Sequence, residues 1–265
     1  MDVEARVAGK TLGAVFYVDE LLDANGQVPK EFHENMGKVM QAVTRVALST
    51  DLTLNFCTVI MRDKKQGNEL VITRRLDDIK RAQADALGME ESMNRTLFGQ
   101  SKYILSPTGK TPFILEDIQF ENFLAEQMVQ RIRFYFAKDV KEDPSHPFLL
   151  ADGHFITTEG KKSFRFSLLA LKSENPKETI LQIFKLMNDV LKGYQFMGYD
   201  ELEIQDYLNR QKLVLKREIV LDYWNNKIKD SEILERFLME SSSIQEAFKL
   251  FGFTAPKEPA SAPSP

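Results

Sequence analysis

His146, Asp152 and His154 are the residues of this chain closest to a metal-ligand set, since imidazole and carboxylate are common ligands and two of the three histidines fall together. Their spacing argues against a shared ion. Asp152-Gly153 stands between the apolar runs 147–151 and 154–158, a pattern that predicts a tight hairpin turn. His146 then sits at the far end of its strand, roughly 17 Å from His154 at about 3.3 Å per residue. Metal–nitrogen bonds are only about 2 Å long. A turn-forming Asp152 and a strand-surface His154 are expected, with no metal and no other cofactor.

Ser106-Pro107-Thr108-Gly109-Lys110-Thr111 ends like a phosphate-binding loop, in which backbone amides and a lysine surround phosphates. The full pattern needs a glycine where Ile104 stands, and a helix where Pro112 opens an extended run. A hairpin turn is the better reading. Cys57 is the only cysteine, so an intrachain disulfide and a cysteine-based zinc cluster are excluded. Within Asn55-Phe56-Cys57-Thr58-Val59 it suits a buried strand. His33 has no neighbour at ligand spacing. Asp77-Asp78 and Glu90-Glu91 are adjacent in sequence, so on helices their carboxylates diverge instead of sharing a substrate. No nucleophile elbow, dinucleotide fingerprint, His-Glu-x-x-His or calcium loop occurs in the sequence.

Basic residues concentrate twice, at Arg74, Arg75, Lys80 and Arg81, and at Arg210, Lys212, Lys216 and Arg217. Both groups are interleaved with Asp and Glu, as on an ion-paired helix surface. Over the whole chain 35 basic residues face 39 acidic ones, a net charge of −4, which disfavours general binding to nucleic acid or an anionic membrane. With 43% hydrophobic residues in 265, a packed core is expected. The start, with Asp2, Glu4 and Arg6, does not read as a secretory signal, and no apolar run reaches membrane-spanning length. A soluble, cytoplasmic protein is the expectation.

The elements that must position these residues begin with a buried strand over 11–18. A helix opened by Pro29 follows, with Phe32, Met36, Val39, Met40, Val43, Val46 and Ala47 at helical spacing. Residues 52–61 and 69–74 read as a hairpin, 76–87 as a short helix ending at Gly88, and 102–105 with 112–115 as a second hairpin. Asp117 is placed to cap a helix through Phe136. Residues 147–171 form a predicted three-stranded meander. Asn175, Pro176 and Glu178 then supply an N-cap, a first-turn proline and a capping-box acid. The order helix, hairpin, helix over 29–87 and again over 117–192 suggests an internal repeat.

Residues 200–226 contain neither proline nor glycine, and their apolar positions form two helical stripes, so one helix of about 40 Å is expected. Shorter helical segments follow from Asp230 and from Ser243-Ile244-Gln245-Glu246. The fold class expected is α+β, an antiparallel sheet built from hairpins and a meander and flanked by helices, with an all-helical C-terminal part and a disordered tail. Its domains are an α+β core over 1–198, divisible at about 1–90 and 100–198, a helical extension over 199–252, and a tail over 253–265 rich in Pro, Ala and Ser.

The functional expectation is a non-catalytic cytoplasmic regulatory or assembly protein. It would meet a protein partner, or a second copy of itself, through its C-terminal helices at Tyr207, Val214, Leu221 and Trp224. One alternative is an enzyme or sensor that binds a small phosphorylated or nucleotide-like ligand with Lys110 or Arg74 and a carboxylate such as Asp152. A further alternative, a nucleic-acid-binding accessory protein, needs both basic groups on one face.

Overall fold

The left-handed backbone of Gly9, at φ +53°, closes the first hairpin, since glycine takes that conformation without steric cost. Strand β1 (Val3–Ala8) runs antiparallel to β2 (Thr11–Val18), in register from Val3 opposite Phe16 to Ala8 opposite Thr11. The structure, a computed structural model, describes residues 3–23, 28–103, 112–142, 149–170, 175–207 and 211–241. By contact density the chain forms two units, Met1–Phe123 and Leu124–Pro265.

In the first unit helix α1 (Lys30–Ser49) carries the chain from β2 to β3 (Phe56–Asp63), which lies parallel to β2. Parallel neighbours require such a crossover. Strand β4 (Asn68–Arg75) returns antiparallel, and helices α2 (Leu76–Gln83) and α3 (Met89–Asn94) lead to β5 (Leu97–Lys102). The sheet order is β1-β2-β3-β4-β5. Leu12, Ala14 and Phe16 of β2 and Cys57, Val59 and Met61 of β3 pack with Val43 and Ala47 of α1 and Leu76 and Ile79 of α2. Each Leu, Ile, Val, Phe or Met side chain among them taken fully from water contributes about 1.5–3 kcal/mol. On the opposite face Val15 and Ile60 meet Phe113.

The second unit repeats this order of connections. Helix α4 (Phe120–Glu142) crosses the unit boundary and precedes the hairpin β6 (Leu149–Thr158) and β7 (Lys161–Ala170). Helix α5 (Pro176–Tyr194) then crosses to β8 (Glu201–Asp206), parallel to β7. Strand β9 (Gln211–Lys216), α6 (Arg217–Trp224), α7 (Asp230–Ile233), a 3-10 turn (Leu234–Arg236) and β10 (Leu238–Ser241) complete a sheet of order β10-β9-β8-β7-β6. In both units two short helices separate the last two strands. The residue after the first of them that turns left-handed is Asp85 (φ +54°) in one unit and Asn226 (φ +58°) in the other. Asp and Asn tolerate that region better than other residues with a Cβ.

The two units share the order hairpin, crossover helix, hairpin, two short helices and a last strand, which is not the repeat expected: β3 and β4 correspond to β8 and β9, not to β6 and β7. The fold is α+β as expected, but each sheet is mixed, because β2–β3 and β7–β8 are parallel. The meander is absent. Asp152 and Gly153 lie inside β6, opposite Ser167 and Phe166, and the turn falls at Glu159-Gly160, both at positive φ. Gly153 is there for space, since a Cβ on it would stand 2.4 Å from the Phe166 ring and 2.9 Å from Val129.

The all-helical C-terminal part is also overturned. Leu202, Ile204, Leu213 and Leu215 are buried and register with Phe164 and Phe166, while Glu201 and Glu203 point to the other face. A period of two thus governs 201–206 and 211–216, and the helical stripes coincided with it by chance. Asp117 does not cap α4; its carboxylate accepts hydrogen bonds from Lys10 N (2.8 Å) and Thr11 Oγ1 (3.2 Å). Ser106 to Thr111, His146, the helix start at Ser243 and the tail 253–265 lie outside the described residues.

Candidate functional site

Helix α5 starts where its cap dictates, with Asn175 Oδ1 accepting from Glu178 N at 3.3 Å. Its buried face, from Ile180 to Leu191, anchors it in the second unit, and its polar residues Asn188, Asp189 and Lys192 line one wall of a cleft of about 760 Å³. The other wall comes from Tyr223 and Asn226 at the end of α6 and from Ile228 to Ser231 at the entry to α7. Helix α6 ends there because Asn226 turns left-handed. Its N–H donates to Tyr223 O (3.0 Å) and that of Lys227 to Asp222 O (2.9 Å), the paired bonds of a Schellman cap.

The cleft's polar groups are cross-linked. The Lys185 ammonium lies 2.5 Å from Asp230 Oδ2, and the Tyr223 hydroxyl donates to Asp230 Oδ1 at 2.8 Å. The Trp224 indole N–H donates to Asn188 Oδ1. The Tyr223 ring meets Phe184 edge-on, with centroids 5.1 Å apart. Burial first, and then Asp230 as acceptor and negative neighbour, push the Tyr223 phenol up to about 12. Asp230 moves down, mainly through its bonds to Lys185 and Tyr223. Near neutrality Tyr223 therefore keeps its proton and Asp230 its charge.

A second polar feature lies on the sheet of the same unit. Ser163 Oγ donates to Glu201 at 3.2 Å, Lys161 lies 2.5 Å from the same carboxylate, and Arg165 Nε donates to Glu203 at 2.8 Å. Burial would raise the Glu203 carboxyl, but Arg165 and Lys212 hold it below the usual range. This ladder neutralises two carboxylates whose side chains are only 5% and 4% exposed, a structural duty. In the first unit, burial pushes the Cys57 thiol up to about 11, against a smaller pull from Arg74, which leaves it a poor nucleophile.

Of the residues expected to meet a partner, Leu221 and Trp224 lie half-buried on α6, and Trp224 reaches the cleft through its bond to Asn188. Tyr207 and Val214 are buried at the end of β8 and in β9; the Tyr207 hydroxyl donates to Gln205 Oε1 at 2.6 Å, and Val214 pairs with Glu203 and Leu238. Among the residues named for a phosphorylated ligand, Arg74 donates to Ser92 Oγ at 3.1 Å in the first unit, and Asp152 lies mid-strand in the second. Lys110 is outside the described residues. Sequence reasoning missed Lys185 and Asn188. The one local signal was the Asn225-Asn226-Lys227 run, which marks the end of α6.

No protein-family model matches this chain, and no curated protein sequence matches it. A solved structure described as "Crystal structure of Sex pheromone staph-cAM373 precursor" is similar over 78% of this chain and 67% of that one, at 8% identity and a TM-score of 0.23. A likeness that slight carries no argument. Among the described residues, no helix is long and apolar enough to cross a membrane, and no cluster of His, Cys, Asp and Glu could hold a metal ion.

Proposed function

We propose that this protein is a non-catalytic binding or assembly protein that meets a protein partner through the surface of α6 and the adjoining cleft. The observation that carries the reading is the geometry of the cleft, where the Tyr223 hydroxyl and the Lys185 ammonium are both fixed on Asp230 and the Trp224 indole on Asn188. Tyr223, pushed up to about 12, and Asp230, moved down, are each held in one state near neutrality. Donors and acceptors fixed in place in this way suit recognition, because little ordering remains to be done on binding. Half-buried Leu221 and Trp224 add apolar surface on the helix that carries Tyr223, the mixture from which interface centres are built.

Site-specific photo-crosslinking tests the reading in the full chain. A photoreactive phenylalanine at Leu221 or Trp224 is expected to yield a discrete covalent adduct in cells. The control is the same residue at Lys80, an exposed position on α2, the corresponding helix of the first unit. Adducts at Leu221 and Trp224 no stronger than at Lys80 would remove the proposal.

A further inference from the structure

The edge of the first sheet is written so that it can pair with itself. In a hairpin closed by a two-residue turn, the flanking residues Ala8 and Thr11 form a hydrogen-bonded pair. Ala8, Arg6 and Glu4 therefore direct their backbone groups to β2, and Val7, Ala5 and Val3 direct theirs to the open side. Among the described residues, no hydrogen bond reaches those three from that side. The equivalent edge in the second unit is engaged: Arg133 of α4 donates twice, at 3.0 and 2.6 Å, to Ala151 O, an outward carbonyl of β6.

We infer that two copies of this chain associate through antiparallel pairing of their β1 strands about a twofold axis at Ala5. In that register Ala5 meets its own copy, Val3 meets Val7, and Glu4 meets Arg6 of the other chain. The outward N–H and C=O groups of Val3, Ala5 and Val7 would then form the ladder, giving one continuous sheet of two five-stranded halves. Glu4 and Arg6 would face each other at the non-hydrogen-bonded positions, where side chains come closest. Within one chain these two side chains already pair on the same face, with Arg6 Nη2 at 2.5 Å from Glu4 Oε1, so exchange across the axis keeps the ion pairing of Glu4 with an Arg6. Val3 and Val7, 52% and 47% exposed, would each be covered by the other. A solvent-exposed edge without a proline or bulge is the kind that recruits a strand, and its two charges, Glu4 and Arg6, are of opposite sign and match in the twofold register.

The test is the solution mass of the full chain by sedimentation equilibrium, up to about 1 mM chain so that weak association registers. The wild type is expected at twice the 30.5 kDa chain mass. Ala5→Pro removes an outward N–H without touching the ladder to β2, and should give a monomer with unchanged circular dichroism. Glu4→Arg leaves two cations on the edge and Arg6→Glu two anions, so each variant alone should be monomeric. An equimolar mixture of the two should recover the doubled mass. A monomeric wild type, a dimer that survives Ala5→Pro, or a mixture that stays monomeric would each overturn the inference.

Discussion

Phe166 lies across Gly153, its ring occupying the place where a side chain on the neighbouring strand would begin. The aromatic ring and Val129 of α4 both close on that bare backbone.

Gly153→Ala is accordingly expected to destabilise the second unit. The added carbon would stand 2.4 Å from the ring and 2.9 Å from Val129, so one of them must move. Overpacking of this kind costs about 1–3 kcal/mol, to be read as a lower urea midpoint at unchanged slope. Gly160→Ala, at a turn with open space around it, should cost less and act only through its φ of +80°.

Arg95 and Asp78 form a buried pair in the first unit, both side chains 5% exposed and 2.9 Å apart, with Glu91 a further partner of Arg95 at 2.7 Å. Removing Arg95 alone, as in Arg95→Met, leaves a buried carboxylate without that cation and is expected to cost about 3–5 kcal/mol. The double variant Arg95→Met with Asp78→Leu should regain most of the loss. A double-mutant cycle by chemical denaturation measures both.

Asp63 binds the turn after β3 together: its carboxylate accepts from Leu21 N at 3.0 Å, Lys65 N at 2.7 Å and Gln66 N at 2.8 Å. Burial alone would raise its pKa, but the three amides prevail and hold it below the ordinary 3.8. A depressed folded value stabilises above the unfolded pKa, and that stabilisation is lost as the pH falls through the folded value. Asp63→Asn should cost about 1–3 kcal/mol near neutrality, and the gap from wild type should close as the pH drops below 3.8. Acid denaturation curves of the two proteins should therefore converge.

Tyr223 offers a spectroscopic readout at the cleft. Its phenolate absorbance should appear near pH 12, and Asp230→Asn should bring the transition part of the way toward 10, leaving the shares due to burial and to the Asp189 charge. A raised folded value stabilises below the unfolded pKa, so this contribution is intact below pH 10 and is lost between 10 and about 12. An ultraviolet pH titration of the folded protein decides it.

The parts of the fold that were legible in the sequence are those fixed by neighbours in the chain. Asn175, Pro176 and Glu178 start α5 where their chemistry requires, and the loop 64–67 joins the strands around it. The stretch 200–226 was misread because tertiary burial, and not local propensity, chooses between periods there. Leu215 fits a helical stripe and a strand face equally well, and only registry with Leu202 decides. Asp152-Gly153 misled for a related reason: the sequence cannot distinguish a glycine that bends the chain from one that makes room for a ring. On α6, Leu221 and Trp224 were visible as an apolar face. Lys185 and Asn188 were not, because their roles exist only once α5 lies against α6.

The parallel pairing of β2 with β3 has a consequence for how the chain acquires its structure. The hairpin around Gly9 closes a two-residue loop and can form within about 1–10 μs, whereas β3 reaches β2 only after the whole of α1 has been traversed. Until then β2, whose residues Thr11 to Phe16 are buried in the finished sheet, has an unpaired side and no cover on its faces. The same delay recurs at β7, which waits for α5 and β8. Synthesis from the N-terminus thus exposes an apolar strand twice, and refolding at high concentration is most vulnerable to aggregation at those two moments.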